Sequence, residues 1–279
     1  MEFGLDIGIF YPSFTIEEAL NLTEKSKFRY IEYPYEYFKN HEKSNLEEYM
    51  VKISKIAESY SVEPYQLHAI YGEINFQLAS VDEKVRKEAI NKIEKWIKYS
   101  YILNVPVLVV HFAFTRSLQN QTYMKAVERV AQINVKLAKK IAKTAEEYDI
   151  KIAFENCLEP WFGGSPADLL WFISNVDSNH IGICLDTGHI HANHLDVGQA
   201  IRQVGNHLIA THIHDNNGRH DQHYPPLMGT IDWKKVMKAF REIDYKYPLI
   251  FEVRGNMEKG KKINQIKLLE KITGYLLTI

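Results

Sequence analysis

The sequence predicts an α/β fold, a single (β/α)8 barrel, from three observations. Short runs of β-branched and aromatic residues alternate eight times with longer helical patterns. The 279 residues are enough for one such barrel and contain no Pro/Gly/Ser linker, so we expect one domain over 1–279. Six apolar runs end in a residue that binds divalent metals, and a parallel barrel brings all its strand ends to one face. The runs, each with its metal-binding residue, are QLHAIY (His68), VLVVHF (His111), KIAFEN (Glu155), IGICLDTGH (Asp186 and His189), IATHIH (His212) and LIFEV (Glu252).

The strands are expected with a helix in every gap and after the last strand. Their ranges are 3–9, 29–33, 65–70, 106–111, 151–155, 181–186, 208–213 and 249–253. Helix starts are expected where Ser or Thr precedes Glu by three residues, because this capping box satisfies the N–H groups of a first turn. The pairs with that spacing are Thr15/Glu18, Ser44/Glu47 and Ser80/Glu83. Ser165-Pro166 predicts another start, and apolar residues at helical spacing predict helices within 82–103 and 122–148.

The composition limits the class of protein. The chain is 46% hydrophobic, and its formal net charge of −1 gives no overall basic field, which argues weakly against nucleic acid as a partner. Two cysteines, Cys157 and Cys184, are too few for a disulfide framework. The sequence has no signal-peptide pattern and no apolar run of about 18 residues. We therefore expect a cytoplasmic protein that does not bind a membrane.

Two glutamates end the fifth and eighth predicted strands. Glu155 and Glu252 both follow apolar neighbours, where a carboxylate is unfavourable unless a metal, hydrogen bonds or a proton compensates for it. We interpret both as metal ligands or proton-transfer groups. The alternative is a buried ion pair, for instance between Glu252 and Arg254.

Histidines and an aspartate end other strands. His68 and His111 follow the third and fourth strands, where their imidazoles would reach a central metal or substrate. The alternative for each is a hydrogen-bonded core histidine. Asp186 and His189 follow the sixth strand, and we expect Gly188 to let the backbone bend between them.

The loop after the seventh strand is rich in candidate ligands. His212 and His214 alternate with Ile213, so they should share one face of the strand. Asp221 and His223 would then return over the barrel mouth as a second ligand pair. Mixed histidine and carboxylate ligands suit a catalytic metal with open positions. For 216–220 the alternative is a solvated polar loop, whereas for His212, Asp221 and His223 we prefer metal ligation.

Aromatic residues near the predicted strand ends have two interpretations. They would wall a pocket and stack on the apolar face of a sugar, or they would pack in the core. These residues are Tyr11, Tyr71, Phe112, Trp161 and Trp233.

Taken together, these residues resemble the xylose-isomerase-like TIM barrel superfamily over nearly the whole chain. That superfamily contains sugar isomerases and epimerases, myo-inositol catabolism enzymes and endonuclease IV. The specific motifs are ENC at 155–157, LDTGHIHA at 185–192, HIHDNN at 212–217 and D-x-H-x-x-P at 221–226. The barrel alone would say little about function.

The resemblance implies two different metal centres. In the epimerase branch one divalent metal is held by Glu155, Asp186, His212 and Glu252, and the two glutamates transfer protons at adjacent sugar carbons. In endonuclease IV three zinc ions are held by a larger set, and this chain has every residue type at the matching positions. The larger set is His68, His111, Glu155, Asp186, His189, His212, Asp221, His223 and Glu252.

Departures from each pattern favour the sugar enzymes. After Glu155 the chain reads NCLEPWFGG, where the endonuclease has a small Ala/Gly-rich turn, and Gly188 stands where that family has a cysteine. HYPPLMGTIDW after Asp221 is similar to the loop of the sugar enzymes, although Met228 occupies part of its glycine-rich stretch.

We therefore predict metal-dependent isomerisation or epimerisation of a small sugar or sugar derivative. One to three divalent ions (Zn, Mn, Mg or Co) would assist catalysis by Glu155, Glu252 and His189. His214 and His189 are candidates for stabilising a developing charge on oxygen, and the predicted substrate contacts are His214, Tyr71, Trp161 and Arg254.

Two other functions stay open. Cleavage at abasic DNA sites would need basic loops at the mouth, for which Arg116, Arg219 and Arg254 are the few candidates. A non-catalytic metal- or sugar-binding barrel is the third possibility. The sequence leaves the oligomeric state open, although a barrel flank commonly supports homo-oligomers.

Overall fold

A computed structural model of the chain shows eight parallel strands alternating with helices in a (β/α)8 barrel, as predicted. The structure describes residues 1–42, 45–115, 121–158, 162–254 and 258–279. The strands are β1 Phe3–Asp6, β2 Tyr30–Tyr33, β3 Glu63–His68, β4 Val107–His111, β5 Lys151–Glu155, β6 Ile181–Asp186, β7 Leu208–His212 and β8 Leu249–Phe251. Their order is β7-β6-β5-β4-β3-β2-β1-β8. Ile213 closes the ring: its N–H donates to Ile250 (2.7 Å), and its carbonyl accepts from the N–H of Glu252 (3.2 Å).

Helices follow every strand, which confirms the predicted alternation. They are α1 Ile16–Glu24, α2 Leu46–Ala57, α3 Glu73–Leu78, α4 Glu83–Ile102, α5 Tyr123–Tyr148, α6 Pro166–Val176, α7 Thr187–Ala192, α8 Val197–Val204, α9 Trp233–Glu242 and α10 Lys259–Leu276. In the described part of the chain, no helix combines the length and apolar character that a membrane span requires.

The first and last predicted strands are each too long by at least two residues. The first ends at Asp6 rather than at residue 9, because the Asp6 carboxylate accepts a hydrogen bond from the N–H of Gly8 (2.7 Å) and starts a 3-10 helix over Ile7–Phe10. The last strand ends at Phe251, so Glu252 lies just beyond it. Both changes leave an acidic side chain at the mouth of the barrel.

The predicted helix caps have different outcomes. Thr15 caps α1 in a capping box with Glu18, and Ser165 caps α6 ahead of Pro166, as expected. The Ser80/Glu83 prediction is wrong, because Asp82 caps α4 and accepts hydrogen bonds from the first-turn N–H groups. Ser44 lies outside the described residues.

The interior of the barrel changes character along its axis. Small apolar side chains fill the lower part, namely Val107, Val109, Ala153, Cys184 and Ala210. The main core lies between the strands and the helices. Polar side chains are buried at the C-terminal ends of the strands, beyond this apolar layer.

Candidate metal centre

Buried polar side chains crowd the C-terminal end of the barrel. They are Asp6, Glu32, Gln66, His68, Glu155, Asp186, His212 and Glu252. Each lies in the C-terminal half of a strand or directly after its end. Burying so many acids is unfavourable unless cations or hydrogen bonds compensate for them.

The central group consists of Glu155, Asp186, His212 and Glu252, whose ligand atoms all lie within 4.8 Å of one another. The three carboxylates surround Nδ1 of His212. This atom is 3.0 Å from Glu155 Oε1, 3.4 Å from Glu252 Oε2 and 3.9 Å from Asp186 Oδ2. One imidazole nitrogen with several carboxylate oxygens is a suitable donor set for a catalytic divalent ion.

A second group, of His68, His111 and Glu155, shares Glu155 with the first. Nε2 of His68 is 3.1 Å from Nε2 of His111 and 3.4 Å from Glu155 Oε2, which is 2.8 Å from His111. Ligands of a tetrahedral zinc ion are about 3.3 Å apart. Glu155 Oε2 is buried and lies within 3.4 Å of both imidazoles, a spacing that ligands of one cation have.

Backbone carbonyls orient the histidines of these groups. His68 Nδ1 is 2.9 Å from the carbonyl of Ala69, and His223 Nδ1 is 2.9 Å from that of Glu252. A proton held on Nδ1 by a carbonyl leaves the Nε2 lone pair for a metal. The donor set therefore fits metal ligation.

The third group consists of His214, Asp221 and His223. His223 Nε2 is 2.8 Å from Asp221 Oδ2, and His214 Nε2 is 3.7 Å from Asp221 Oδ1. Asp221 Oδ1 and His214 Nδ1 are buried and have no hydrogen-bond partner. These unpaired atoms again fit a site that takes a cation.

The loop between β7 and α9 carries this third group back over the mouth. Asp215 and Tyr224 exchange two backbone hydrogen bonds of 2.8 Å, and the Asp215 carboxylate accepts from the Trp233 indole (2.8 Å) and the Leu227 N–H (3.1 Å). These bonds hold the loop against the barrel. Trp233 is therefore a buried core residue rather than a pocket wall.

His189 and His214 both lie within 4 Å of Asp186 and of Asp221. His189, expected as a ligand, has Nε2 3.4 Å from Asp221 Oδ2 and Nδ1 2.9 Å from the carbonyl of Asn156. It lies beside the metal groups without completing one of them. His214, expected at the substrate, has Nε2 2.9 Å from Asp186 Oδ2 and joins the third group.

Gly188 explains this arrangement, but not through a backbone bend. It is a helical residue of α7, and its φ lies outside the left-handed region. A Cβ added there would lie 1.9 Å from Cε1 of His214. The imidazole of His214 therefore packs where any other side chain would stand.

We expect Gly188→Ala to destabilise the protein by about 1–3 kcal/mol, because the new methyl group must displace His214 from Asp186. Gly274→Ala is the matched control, since Gly274 is also helical and a Cβ added there would meet no atom within 4 Å. The control should be neutral or stabilising by up to about 1 kcal/mol. Urea unfolding measures both, and equal effects would contradict the steric role of Gly188.

Glu32, at the end of β2, is a site residue that the strand-end motifs above do not include. Its Oε2 lies 2.9 Å from Nε2 of His212, opposite the nitrogen that faces the central group. Gln66 donates to the same carboxylate and to the carbonyl of Thr211. Such a carboxylate fixes the orientation of a ligating histidine and raises its basicity. The signal is present in the sequence, because YIEYP places an acid at a strand end as KIAFEN does.

Asp6 and Arg254 form the other side of the mouth. Arg254 Nη2 is 2.8 Å from Glu252 Oε1, so the predicted alternative of an ion pair is observed. The other oxygen of Glu252 faces His212 and His223, so the ion pair leaves that oxygen available to a cation. Arg254 Nη1 also lies 3.9 Å from Asp6.

The charges of the site are strongly coupled. Burial raises the pKa of Glu155, but the positive charges of His212 and His111 outweigh it and hold that pKa well below its usual range. Burial lowers the pKa of His68, but the hydrogen bond and charge of Glu155 raise it to about 9. The histidines and carboxylates thus favour one another's charged forms, a compensation that a divalent cation can also provide.

The aromatic and cationic residues predicted at the site lie in different parts of the structure. The Tyr71 hydroxyl donates to Glu36 (2.5 Å), and its ring stacks on His111 at the mouth. Phe112 is buried beside His111, and Tyr11 packs on Tyr37. Trp161 and Arg116 lie outside the described residues, and Arg219 lies exposed in a different surface pocket.

Residues 20–271 match the family model of the xylose isomerase-like TIM barrel. The chain belongs to this family. The predicted resemblance and barrel fold are therefore confirmed.

Three curated proteins with different names are similar to part of this chain. An uncharacterized protein from Methanocaldococcus jannaschii is 31% identical over 199 residues, 69% of this chain and 65% of that protein. D-psicose 3-epimerase from Enterocloster bolteae is 28% identical over 120 residues, 42% of this chain and 38% of the epimerase. Probable endonuclease 4 from Buchnera aphidicola is 33% identical over 109 residues, 33% of this chain and 39% of that protein. The matches thus span less than two thirds of each relative.

Several solved structures match over the whole chain. A D-tagatose 3-epimerase-like protein has a TM-score of 0.80 at 23% identity, covering 100% of this chain and 99% of the other. The IolI protein, whose crystal structure contains a bound zinc atom, has a TM-score of 0.81 at 20% identity, covering 100% and 98%. These similarities establish the common fold.

For this family member we expect Glu32→Gln to lower the affinity for the divalent ion by about 10- to 100-fold, because a neutral amide orients His212 less firmly. Glu63→Gln is the control, since Glu63 lies half-exposed at the opposite end of the barrel. Titration of the metal-free protein with Mn²⁺ measures both variants. Equal affinities in the wild type and Glu32→Gln would contradict the orienting role.

Proposed function

We propose that this protein is a divalent-metal-dependent sugar isomerase or epimerase in which Glu155 and Glu252 transfer protons. The observation that carries the proposal is the pair of buried carboxylates, brought from β5 and β8 into one group with Asp186 and His212. The D-psicose 3-epimerase relative and the D-tagatose 3-epimerase-like structure support sugar chemistry in this fold. The zinc atom of the IolI structure supports a metal.

The ligands that we assign are Glu155, Asp186, His212 and Glu252, with His68 and His111 on one side and Asp221 and His223 on the other. Zn, Mn, Mg and Co all accept oxygen and nitrogen donors of this kind, and the three groups have room for one to three ions. A bound divalent ion would polarise the substrate carbonyl and so acidify the adjacent C–H bond.

Glu155 and Glu252 are suited to move that proton. Both carboxyl groups have a pKa below the usual range, despite burial, because of neighbouring positive charges, so both are ionised near neutral pH. They approach from strands separated by β6 and β7, hence from different sides of the mouth. Epimerisation requires removal of a proton on one face and its return on the other, which two separated bases allow.

His189 is the third catalytic residue that we assign. Its Nδ1 lies 2.9 Å from the carbonyl of Asn156, so its Nε2 faces the mouth near Asp221. We assign it to a hydrogen bond with the substrate oxygen on which negative charge develops. Arg254 and Tyr71 are assigned to substrate hydroxyls.

The test is exchange of a carbon-bound proton of the substrate with solvent deuterium. The metal-loaded protein is incubated in D₂O with D-psicose, D-tagatose, D-fructose and L-ribulose, and the C–H signals are followed by NMR. Exchange that a chelator stops is the expected result. Absence of exchange over a broad sugar panel would contradict the proposal.

A second candidate is phosphodiester hydrolysis at abasic DNA sites, which is favoured by the three adjoining ligand groups. The endonuclease relative supports it over a third of the chain. Among the described residues that line the acidic mouth, Arg254 is the only lysine or arginine, and a duplex needs more positive charge. Cleavage of an abasic oligonucleotide that requires Zn²⁺ would reverse the order of the two candidates. The cytoplasmic location and a homo-oligomer stay predictions.

A further inference from the structure

Two pockets of opposite character meet at the metal groups. The apolar pocket is walled by Phe112, Phe114, Cys157 and Leu158. The acidic pocket is walled by Asp6, Glu32, Glu36, Tyr71, Glu252 and Arg254. Both pockets also contact His111, Glu155 and His189. A substrate whose reacting carbon lies at Glu155 therefore extends into both.

Away from the metal groups, the described residues of the apolar pocket offer little to a hydroxyl group. The Asn156 amide bonds to the backbone of Asp186, since its Nδ2 donates to the Asp186 carbonyl (3.2 Å) and its Oδ1 accepts from the Asp186 N–H (2.7 Å). Cys157 Sγ is 3.7 Å from the carbonyl of Phe162. Sugar hydroxyls placed against Phe114 and Leu158 would lose hydrogen bonds to water without replacement, which is unfavourable.

The size of the apolar pocket indicates what it holds. Its volume is about 190 Å³. An apolar protein cavity of about 150 Å³ binds benzene. The pocket is thus large enough for a six-membered ring and much larger than a methyl group.

The charges of the two pockets disfavour an anionic substrate. Among the described residues that line them, Arg254 is the only lysine or arginine, and it lies 2.8 Å from Glu252. A phosphate group would meet Asp6, Glu32 or Glu36 on one side and apolar carbon on the other. Neither environment compensates for its charge.

We propose that the substrate is an uncharged sugar derivative with an apolar substituent about the size of one six-membered ring. The polyol part lies in the acidic pocket, where carboxylates, Tyr71 and Arg254 pair with its hydroxyls. The substituent lies in the apolar pocket against Phe112, Phe114 and Leu158. This inference rests on the proposed function, because Glu155, which both pockets share, is the group assigned to proton transfer.

The test compares ketoses that differ in one substituent. D-fructose and its 6-deoxy, 6-O-phenyl and 6-phosphate derivatives form one series, and the same groups at carbon 1 form a second. Deuterium exchange gives kcat/KM with the Mn²⁺-loaded protein, and calorimetry gives Kd for every compound. In at least one series the O-phenyl derivative should bind about 10-fold or more tightly than the parent sugar, and the phosphate more weakly.

Pocket variants locate the preference. Phe114→Ala and Leu158→Ser should each reduce the ratio of phenyl to parent affinity by about 10-fold. Leu158 is partly exposed, so its variant keeps the test valid if Phe114→Ala does not fold. Leu268→Ala is the control, because Leu268 is equally exposed on α10, away from both pockets. It should leave the ratio unchanged.

The outcomes separate the two ideas. Equal or tighter binding of the parent sugar or the phosphate in both series overturns the inference, even where exchange is observed and the proposed function stands. Tight binding of the phenyl derivative that depends on Phe114 supports the pocket assignment. If the same compounds show no exchange, only the proposed proton transfer is contradicted. A preference that survives both pocket variants places the substituent elsewhere and overturns the inference.

Discussion

Glu252→Gln is expected to lower the rate of substrate C–H exchange by about 10²- to 10⁴-fold, the usual contribution of a general base. Glutamine has nearly the same shape as glutamate, so it preserves the packing of this buried residue. It cannot accept a proton at neutral pH. Glu155→Gln should lower the exchange rate similarly when the reaction starts from the other epimer.

Loss of metal is the competing explanation, because both glutamates belong to the central group. The exchange rate is therefore measured at saturating Mn²⁺, and the bound metal is counted by elemental analysis of the same sample. Glu88→Gln, at an exposed position of α4, is the control and should behave as wild type. Full exchange activity in a metal-loaded Glu252→Gln variant would exclude this residue as a base.

The sequence was sufficient to predict the barrel, because its signals are local. Each strand is a short apolar run, and the capping box of Thr15 with Glu18 depends on residues three positions apart. The Ser80 cap was wrong because Asp82 competes for the same first turn, and a carboxylate two residues closer prevails. Local patterns thus predict that a helix begins, but two adjacent candidates make its first residue ambiguous.

The sequence predicts which residues form the site, but not which of their atoms contact one another. Strand-end position identified Glu155, Asp186, His212 and Glu252, and the structure brings them together. The partners of each atom depend on distances across the barrel. Glu32 illustrates this, because its role is evident only from the 2.9 Å contact with His212, 180 positions away.

The position of His214 beside Asp186 has the same origin. His214 reaches Asp186 because Gly188 leaves room for its ring, a contact between β6 and the segment after β7. A sequence pattern shows that position 188 is glycine, but not which side chain fills the space. The apolar pocket at Phe114 likewise arises from loops that only the fold brings together.

Metal binding is expected to stabilise the protein more at about pH 9 than at about pH 6.5, because ligand histidines must release protons. Burial lowers the pKa of His68 and of His223, but Glu155 in the first case, and Glu252 with Asp221 in the second, raise each to about 9. Below that value protons compete with the metal. Each histidine that must deprotonate weakens apparent affinity about tenfold per pH unit.

The metal-free protein should respond in the opposite direction. A histidine whose pKa rises on folding contributes its full stabilisation of the folded state at a pH below its unfolded pKa of about 6.5. This contribution is lost as the pH rises through about 9, the pKa in the folded state. Asp6 has the same sign, because burial and Glu32 raise its pKa to about 8, so the folded state prefers its protonated form. Glu155 and Glu252 have lowered pKa values, stay ionised over this range and contribute no slope.

Thermal unfolding with EDTA and with Mn²⁺ across this pH range measures both effects. The melting temperature in EDTA should fall as the pH rises, while the gain from metal grows, reaching about 2.7 kcal/mol when free metal is 100 times Kd. His68→Gln should flatten both trends, whereas His207→Gln, at an exposed position below the barrel, should not. A metal-induced gain that is the same at both pH values would show that these histidines do not exchange protons for the ion.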